Sequence, residues 1–296
     1  MLRGREKLVP ERDAAKCDLT ALNENLIEYI NFGGYPELVL SEAVRRDPQR
    51  FVKNDVIDKV LLRDLPSLYG ISDVQELNYL FSTLAYNTGE EVSLDELSKR
   101  SGVAKNTIKR YIEYLEAAFL IRVVHRLDRD GRRFQRARQF KVYLTNPSMR
   151  AALFSPVSAD DPPMGPVIET AIFCQLFHVF DELNYARWPK GEVDIVSRGA
   201  RGPRSATEIK WSDRVVDHPE KLEALLTFAK RHGLDHVTVT TRTRVVSRPF
   251  GNVIVRFVPA ALYCALVGDL ETERKSALLG LTDAQARAEA AENRRW

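Results

Sequence analysis

The chain has 296 residues, 44% apolar and 29% charged, with a net charge of +3. That composition is neither disordered nor fibrous, and the length allows two compact domains with an apolar core in each; no apolar run reaches the roughly 20 residues of a membrane helix. The basic N-terminus lacks the apolar stretch of a secretory signal, and Cys17, Cys174 and Cys264 are too scattered for a disulfide framework or a zinc cluster. A cytoplasmic protein without a membrane segment is expected.

In chain order, Leu19, Leu22, Leu26, Ile27 and Ile30 form a helical stripe over residues 18–32, with Asp18 or Thr20 as N-cap and Gly33-Gly34 as its end. A second helix is predicted over Pro48–Leu62, interrupted by Arg63, Asp64 and Pro66. Three helices follow. The first covers Asp73–Tyr86, the second starts at a Ser93/Glu96 capping box and ends at Gly102, and the third starts near Lys105 with Ile108, Ile112, Leu115 and Phe119 on one face. Strands at Leu120–His125 and Gln139–Leu144 flank a turn at Asp128–Gly131. Three helices and a hairpin in this order predict a winged helix-turn-helix.

Ser155–Pro166, rich in Pro and Asp, reads as a linker. After it the pattern predicts a helix at Val167–Phe180 and strands at Asn184–Trp188, Glu192–Ser197 and Ser205–Trp211. A helix at Pro219–His232 and strands at His236–Thr241 and Val253–Val258 complete an α/β unit. The expected organisation is therefore an N-terminal helical segment (1–70), the winged helix-turn-helix (71–150), a mixed-sheet domain flanked by helices (165–268) and a charged C-terminal tail (269–296).

Between Arg122 and Lys141 lie eight Lys or Arg residues against two Asp. That excess is the footprint of a phosphate backbone or of a solvated basic loop. Lys105, Asn106, Thr107, Lys109 and Arg110 on the third helix are the candidates to meet DNA in the major groove, and Arg129, Arg132, Arg133 and Arg136 in the wing to meet phosphates. A winged helix used for protein docking is the alternative.

The chemistry is concentrated in two short segments. In Glu192-Val193-Asp194-Ile195, strand alternation puts Glu192 and Asp194 on one face and Val193 and Ile195 on the other. In Glu208-Ile209-Lys210-Trp211 it puts Glu208 with Lys210 and Ile209 with Trp211. Paired as a hairpin, the two strands bring Asp194, Glu208 and Lys210 together. Two carboxylates suit Mg2+ or Mn2+, which take oxygen ligands and keep several waters. A lysine beside them can orient a water and stabilise charge on a phosphate. Glu169, early in the preceding helix, is a candidate further ligand or a carboxylate that favours the helix dipole. Glu192 is expected to face solvent, and Trp188 and Trp211 to pack beside the site. A cross-strand ion-pair ladder without catalysis is the competing explanation.

Val193-Asp194 with Glu208-Ile209-Lys210 and the upstream Glu169 resembles the PD-(D/E)xK nuclease signature, with Val193 where the motif name has proline. More widely, several segments occur in an order similar to the C-terminal region of a bacterial and archaeal family of AAA-type P-loop ATPases. They are Gly33-Gly34-Tyr35-Pro36-Glu37, Arg63-Asp64, Lys141-Val142-Tyr143, Gly165-Pro166-Val167-Ile168-Glu169, Arg187-Trp188, Glu192-Val193-Asp194 and Glu208-Ile209-Lys210, and they span about residues 25 to 260. The resemblance implies a restriction-endonuclease-like domain with Glu169, Asp194, Glu208 and Lys210 as catalytic residues and Asp194, Glu208 and Glu169 as metal ligands. This chain has no G-x-x-x-x-G-K-[ST] loop, so it is not expected to hydrolyse ATP itself. The expected function is a Mg2+- or Mn2+-dependent DNA endonuclease. The alternative is an inactive nuclease-like DNA-binding or docking module working with a separate P-loop ATPase. Oligomeric state is left open.

Overall fold

The computed structural model describes residues 17–133, 139–180, 182–199 and 201–268. Helix α1 (Leu19–Phe32) starts where the Asp18 carboxylate accepts from the amides of Thr20 and Ala21, and stops before Gly33. Gly34 then takes a left-handed φ of 87°, a conformation that glycine tolerates without a Cβ clash. The expected break at Pro66 does not occur. The chain stays helical through Phe51–Asp58 and Val60–Asp64, both wound as π-helix, into Leu65–Tyr69, and Gly70 ends it with a φ of 64°. Pro66 sits at the junction where the π-wound stretch passes into that last segment.

Helices α2 (Val74–Tyr86), α3 (Leu94–Ser101) and α4 (Lys105–Ala117) follow, but α4 stops short of Phe119, which the spacing puts on its apolar face and which is instead exposed with a φ of 56°. Ser93 caps α3 through the Glu96 amide at 3.1 Å, and Gly102 ends it. Their apolar faces meet in one core with Val52, Ile57, Leu61 and the inner residues of the first strands. Strands β1 (Glu91–Ser93), β2 (Ile121–Leu127) and β3 (Gln139–Leu144) come next, with β3 between the other two and antiparallel to both.

Residues 155–166 are not a free linker. Asn31 on α1 donates to the Val157 carbonyl and accepts from the Val157 amide, both at 2.8 Å. Val157 and Met164 are buried, and helix α5 begins at Met164 and runs to Leu176, three residues ahead of the expected start. It is followed by β4 (Leu183–Trp188), β5 (Gly191–Gly199), β6 (Gly202–Glu208), α6 (Glu223–His232), β7 (His236–Thr241), β8 (Val246–Phe250) and β9 (Val253–Pro259). The nine strands among the described residues form one mixed sheet in the order β1-β3-β2-β4-β5-β6-β7-β9-β8. The parallel pairing of β2 with β4, from His125↔Asn184 to Leu127↔Ala186, joins residues 71–150 to residues 165–268 through continuous backbone hydrogen bonds. One core packs the sheet against α1 and α5, and another packs it against α6. No helix among the described residues is long and apolar enough to cross a membrane.

The hairpin β5–β6 departs from expectation in two ways. It closes between Gly199 and Gly202, and β6 stops at Glu208, so Ile209 and Lys210 lie just beyond the strand. Strict alternation also fails at Asp194. Asn184 pairs with Val196 and Ala186 with Val193, so β5 carries one extra residue opposite Tyr185. This bulge sends Val193 into the core beneath α6 and Ile195 into the core beneath α5, although alternation would put them on one face.

Asn31→Ala strands the buried amide and carbonyl of Val157, and we expect a loss of about 2–3 kcal/mol of unfolding free energy. Urea denaturation measures it; an unchanged midpoint would contradict the assigned role of Asn31.

Candidate functional site

The carboxylate of Asp194 is buried at the β5 bulge. Its Oδ2 accepts from the amide of Ile209 at 2.8 Å, which ties the bulge to the end of β6. Glu208, the last residue of β6, accepts from Lys210 Nζ at 2.7 Å, and the same ammonium lies 3.7 Å from Asp194 Oδ2. Asp194, Glu208 and Lys210 thus come together as expected. Thr240 on β7 fixes the Lys210 backbone, accepting from its amide at 2.8 Å and donating to its carbonyl at 2.9 Å. Ile209 and Trp211 pack into the core on the α5 side, as their spacing predicts.

Glu169, in the middle of α5, joins the same neighbourhood from the opposite direction. Its Oε1 accepts from Lys141 Nζ at 3.0 Å and from the Tyr143 hydroxyl. It is not near the helix N-terminus, so the dipole explanation does not hold for it. Lys141 also pairs with Glu192 at 2.9 Å, and Glu192 meets Arg187 at 3.4 Å. Glu192 is therefore bound into the cluster rather than simply solvated. Beyond it, Glu91 on β1 accepts from the Tyr185 hydroxyl at 2.6 Å and faces Arg187 and Arg126.

The electrostatics follow from that crowding. Burial, reinforced by the Asp194 charge, raises Glu169 to about 7 and Glu208 to about 8, against the partial relief that Lys141 and Lys210 supply. Burial works against charge on both lysines as well. Asp194 and Glu208 outweigh it at Lys210, and Glu169, Asp194 and Glu192 outweigh it at Lys141, so both stay ammoniums. Burial and the neighbouring Glu169 keep the Tyr143 hydroxyl protonated.

A divalent cation suits part of this arrangement. Glu208 Oε2 is buried with no hydrogen-bond partner, which leaves one acceptor beside Asp194 in need of a cation or a water. No group of three or more His, Cys, Asp or Glu side chains among the described residues forms a ready metal cage. The donor set is two carboxylates completed by water, which is how Mg2+ is commonly held. Lys210 is 38% exposed, so the site opens to solvent on its side.

Sequence reasoning gave Lys141 and Tyr143 no role. The signal was a lone lysine inside the otherwise apolar strand Phe140–Leu144, a position that requires a buried acid partner. Beside the cluster runs a groove of two adjoining clefts, about 580 and 470 Å³, sharing Arg126, Arg187, Trp188 and Pro189. Arg129 and Lys190 line its far end, and Glu192 connects it to the cluster.

The other expected contacts are dispersed. Asn106 and Arg110 on α4 are exposed and Thr107 is half-buried, while Lys105 pairs with Asp95 and Lys109 lies 3.7 Å from Glu113. Arg129 and Arg132 are exposed, but Arg133 is held by Glu182 at 3.1 Å. Arg136 lies outside the described residues. Asp130 pairs with Arg231, and the Arg129 carbonyl meets His232, so the β2–β3 turn rests on the end of α6.

Residues 23–160 match the model of a domain of unknown function (DUF8612). That stretch contains Glu91, Lys141 and Tyr143 but not Glu169, Asp194, Glu208 or Lys210. An uncharacterized protein of Haemophilus influenzae is 22% identical over 178 residues, covering 58% of this chain and 43% of the relative. An uncharacterized protein of Methanocaldococcus jannaschii is 25% identical over 103 residues, covering 32% of this chain and 22% of the relative. The chain thus covers less than half the length of either relative. No solved structure matches.

Because Glu169 and Glu208 are raised from 4.5, the folded chain retains protons that the unfolded chain releases. Their contribution to stability is therefore full below about pH 4.5 and lost as pH rises through about 7 and 8. In chelator, the urea midpoint is expected to fall between mildly acidic and mildly alkaline pH, and to fall less in Glu208→Gln. A midpoint that rises over this window would contradict the assigned electrostatics.

Proposed function

We propose that the chain is a divalent-cation-dependent DNA endonuclease of the PD-(D/E)xK type, guided by a winged helix-turn-helix. The observation that carries this is a single ammonium, Lys210, spanning Asp194 and Glu208 beside a buried carboxylate oxygen that nothing else satisfies. A surface ion-pair ladder would be solvated and would not raise Glu208 to about 8.

In this reading Asp194 and Glu208 hold the cation, Mg2+ or Mn2+, which when bound supplies positive charge to a phosphate oxygen. Lys210, held as an ammonium, donates to the attacking water or to the phosphate and does not act as a base. Thr240 fixes the backbone from which it reaches. Water oxygen bonds to phosphorus as the bond to the leaving strand oxygen breaks; the proton released by the water passes to solvent, and the leaving oxygen is protonated in turn.

The groove suits a nucleic-acid strand next to that centre. Arg129 and Lys190 at its far end would supply cations to a backbone, while Arg126 and Arg187 are already engaged by Glu91 and Glu192. The element order α2, β1, α3, α4, β2, β3, with the tight Gly102 turn between α3 and α4, supports a winged helix-turn-helix with α4 as its recognition helix. In the wing, the exposed Arg129 and Arg132 are the phosphate contacts, since Arg133 is neutralised by Glu182.

A second reading has one observation in its favour: Lys141 and Lys210 already counter the carboxylates without a metal. The chain would then be an inactive DNA-binding or docking module acting with a separate P-loop ATPase, as the AAA-type resemblance implies.

Plasmid DNA incubated with the full chain and Mg2+ or Mn2+ separates the two. Nicking or cutting is expected, reduced on the order of 1000-fold by Asp194→Asn and by Lys210→Ala. Salt-sensitive DNA binding with the plasmid intact under both metals would favour the inactive module and sink the nuclease.

A further inference from the structure

Lys141 is only 4% exposed, in the central strand of β1-β3-β2. Its backbone is paired on both sides, with Glu91 on β1 and with Val124 on β2, so the ammonium is carried by a rigid part of the sheet. That ammonium touches Glu169 at 3.0 Å and Glu192 at 2.9 Å and lies 5.3 Å from the centre of the Tyr185 ring. A buried ammonium persists only with charged partners of this quality. On Glu169 one oxygen, Oε1, accepts from both Lys141 and Tyr143.

We propose that Lys141 is a built-in cation of the carboxylate cluster, which keeps Glu169 from serving as a metal ligand and limits the chain to a single divalent ion between Asp194 and Glu208. This rests on the divalent-cation site proposed above and removes Glu169 from its ligand set.

Charge balance supports the limit. Glu169, Asp194, Glu192 and Glu208 face Lys141, Lys210 and Arg187, an excess of one negative charge when all are ionised. One divalent ion turns that into an excess of one positive charge, close to what a single phosphodiester cancels. A second ion would add two more positive charges in a buried space, next to an ammonium that cannot leave. The geometry agrees: the fully buried acceptor without a partner is Glu208 Oε2, at the Lys210 end of the cluster, whereas Glu169 Oε1 is held by Lys141 and Tyr143. Lys141 is thus a positioning residue, acting through Glu169 and through the charge it fixes.

Mn2+ titration of the full chain, followed by electron paramagnetic resonance of the free ion and by calorimetry, tests this without any activity. One Mn2+ per wild-type chain is expected. Lys141→Met should admit a second ion, because Glu169 loses its counter-cation and Glu192 keeps only Arg187. Glu169→Gln should keep the wild-type affinity within about threefold, whereas Asp194→Asn should weaken it on the order of 100-fold. Two ions on the wild-type chain would overturn the role of Lys141 while leaving the metal site standing. So would a single ion on a folded Lys141→Met chain. If Lys141→Met does not fold, Glu169→Gln decides: a loss matching that of Asp194→Asn makes Glu169 a ligand and overturns the inference. A wild-type chain that takes up no Mn2+ would remove the divalent-cation site itself, and this inference with it.

Discussion

The hairpin β5–β6 and helix α5 force three carboxylates into one poorly solvated neighbourhood, and the rest of the site is organised by the need to neutralise them. Carboxylates crowded together out of water cannot all ionise without cations among them. Two lysines meet that need from opposite sides: Lys210 beside Asp194 and Glu208, Lys141 beside Glu169 and Glu192. The compensation is incomplete, as the raised Glu169 and Glu208 and the orphaned Glu208 oxygen record. A protein that only required stability would gain by replacing such a cluster with apolar side chains. The proposed divalent cation would supply the positive charge that this imbalance lacks.

The sheet explains how so many charges reach one place. Because β2 pairs with both β3 and β4, the segment containing Lys141 and Tyr143 is continuous with the strands that carry Asp194 and Glu208. The helical region matched by the domain of unknown function therefore contributes side chains to the cluster. It is not merely a neighbour of it. The groove formed by Arg126 and Arg187 has the same origin, since Arg126 on β2 pairs with Tyr185 of β4 and Arg187 lies two residues farther along that strand. In the proposed nuclease, the module that binds DNA and the module that cuts it would share backbone hydrogen bonds and could not move independently.

Much of this was legible in the sequence because the signals were local. Capping at Asp18 and Ser93, the helical stripes of α2 and α4, and the period-two pairing of Glu208 with Lys210 need only neighbouring residues. The signals that failed were those that depend on distant ones. The bulge at Asp194 is set by the partner strand β4, so alternation wrongly put Val193 and Ile195 on one face. The hold of Asn31 on Val157 spans 126 residues, and without it a Pro- and Asp-rich stretch reads as a linker. Lys141 shows the same limit: its charge was visible in an apolar strand, but its partners come from α5 and β5. The short strands β1 and β8 carried too little pattern to be read at all.

Asp194 and Glu208 are proposed to converge on one divalent cation. A crystal soaked in Mn2+ and measured for anomalous scattering tests it most directly. The account predicts a single peak within about 2.2 Å of a carboxylate oxygen from each residue, with Glu169 still bound to Lys141. An absent peak, or one held by Glu169 with Lys141 displaced, would contradict it.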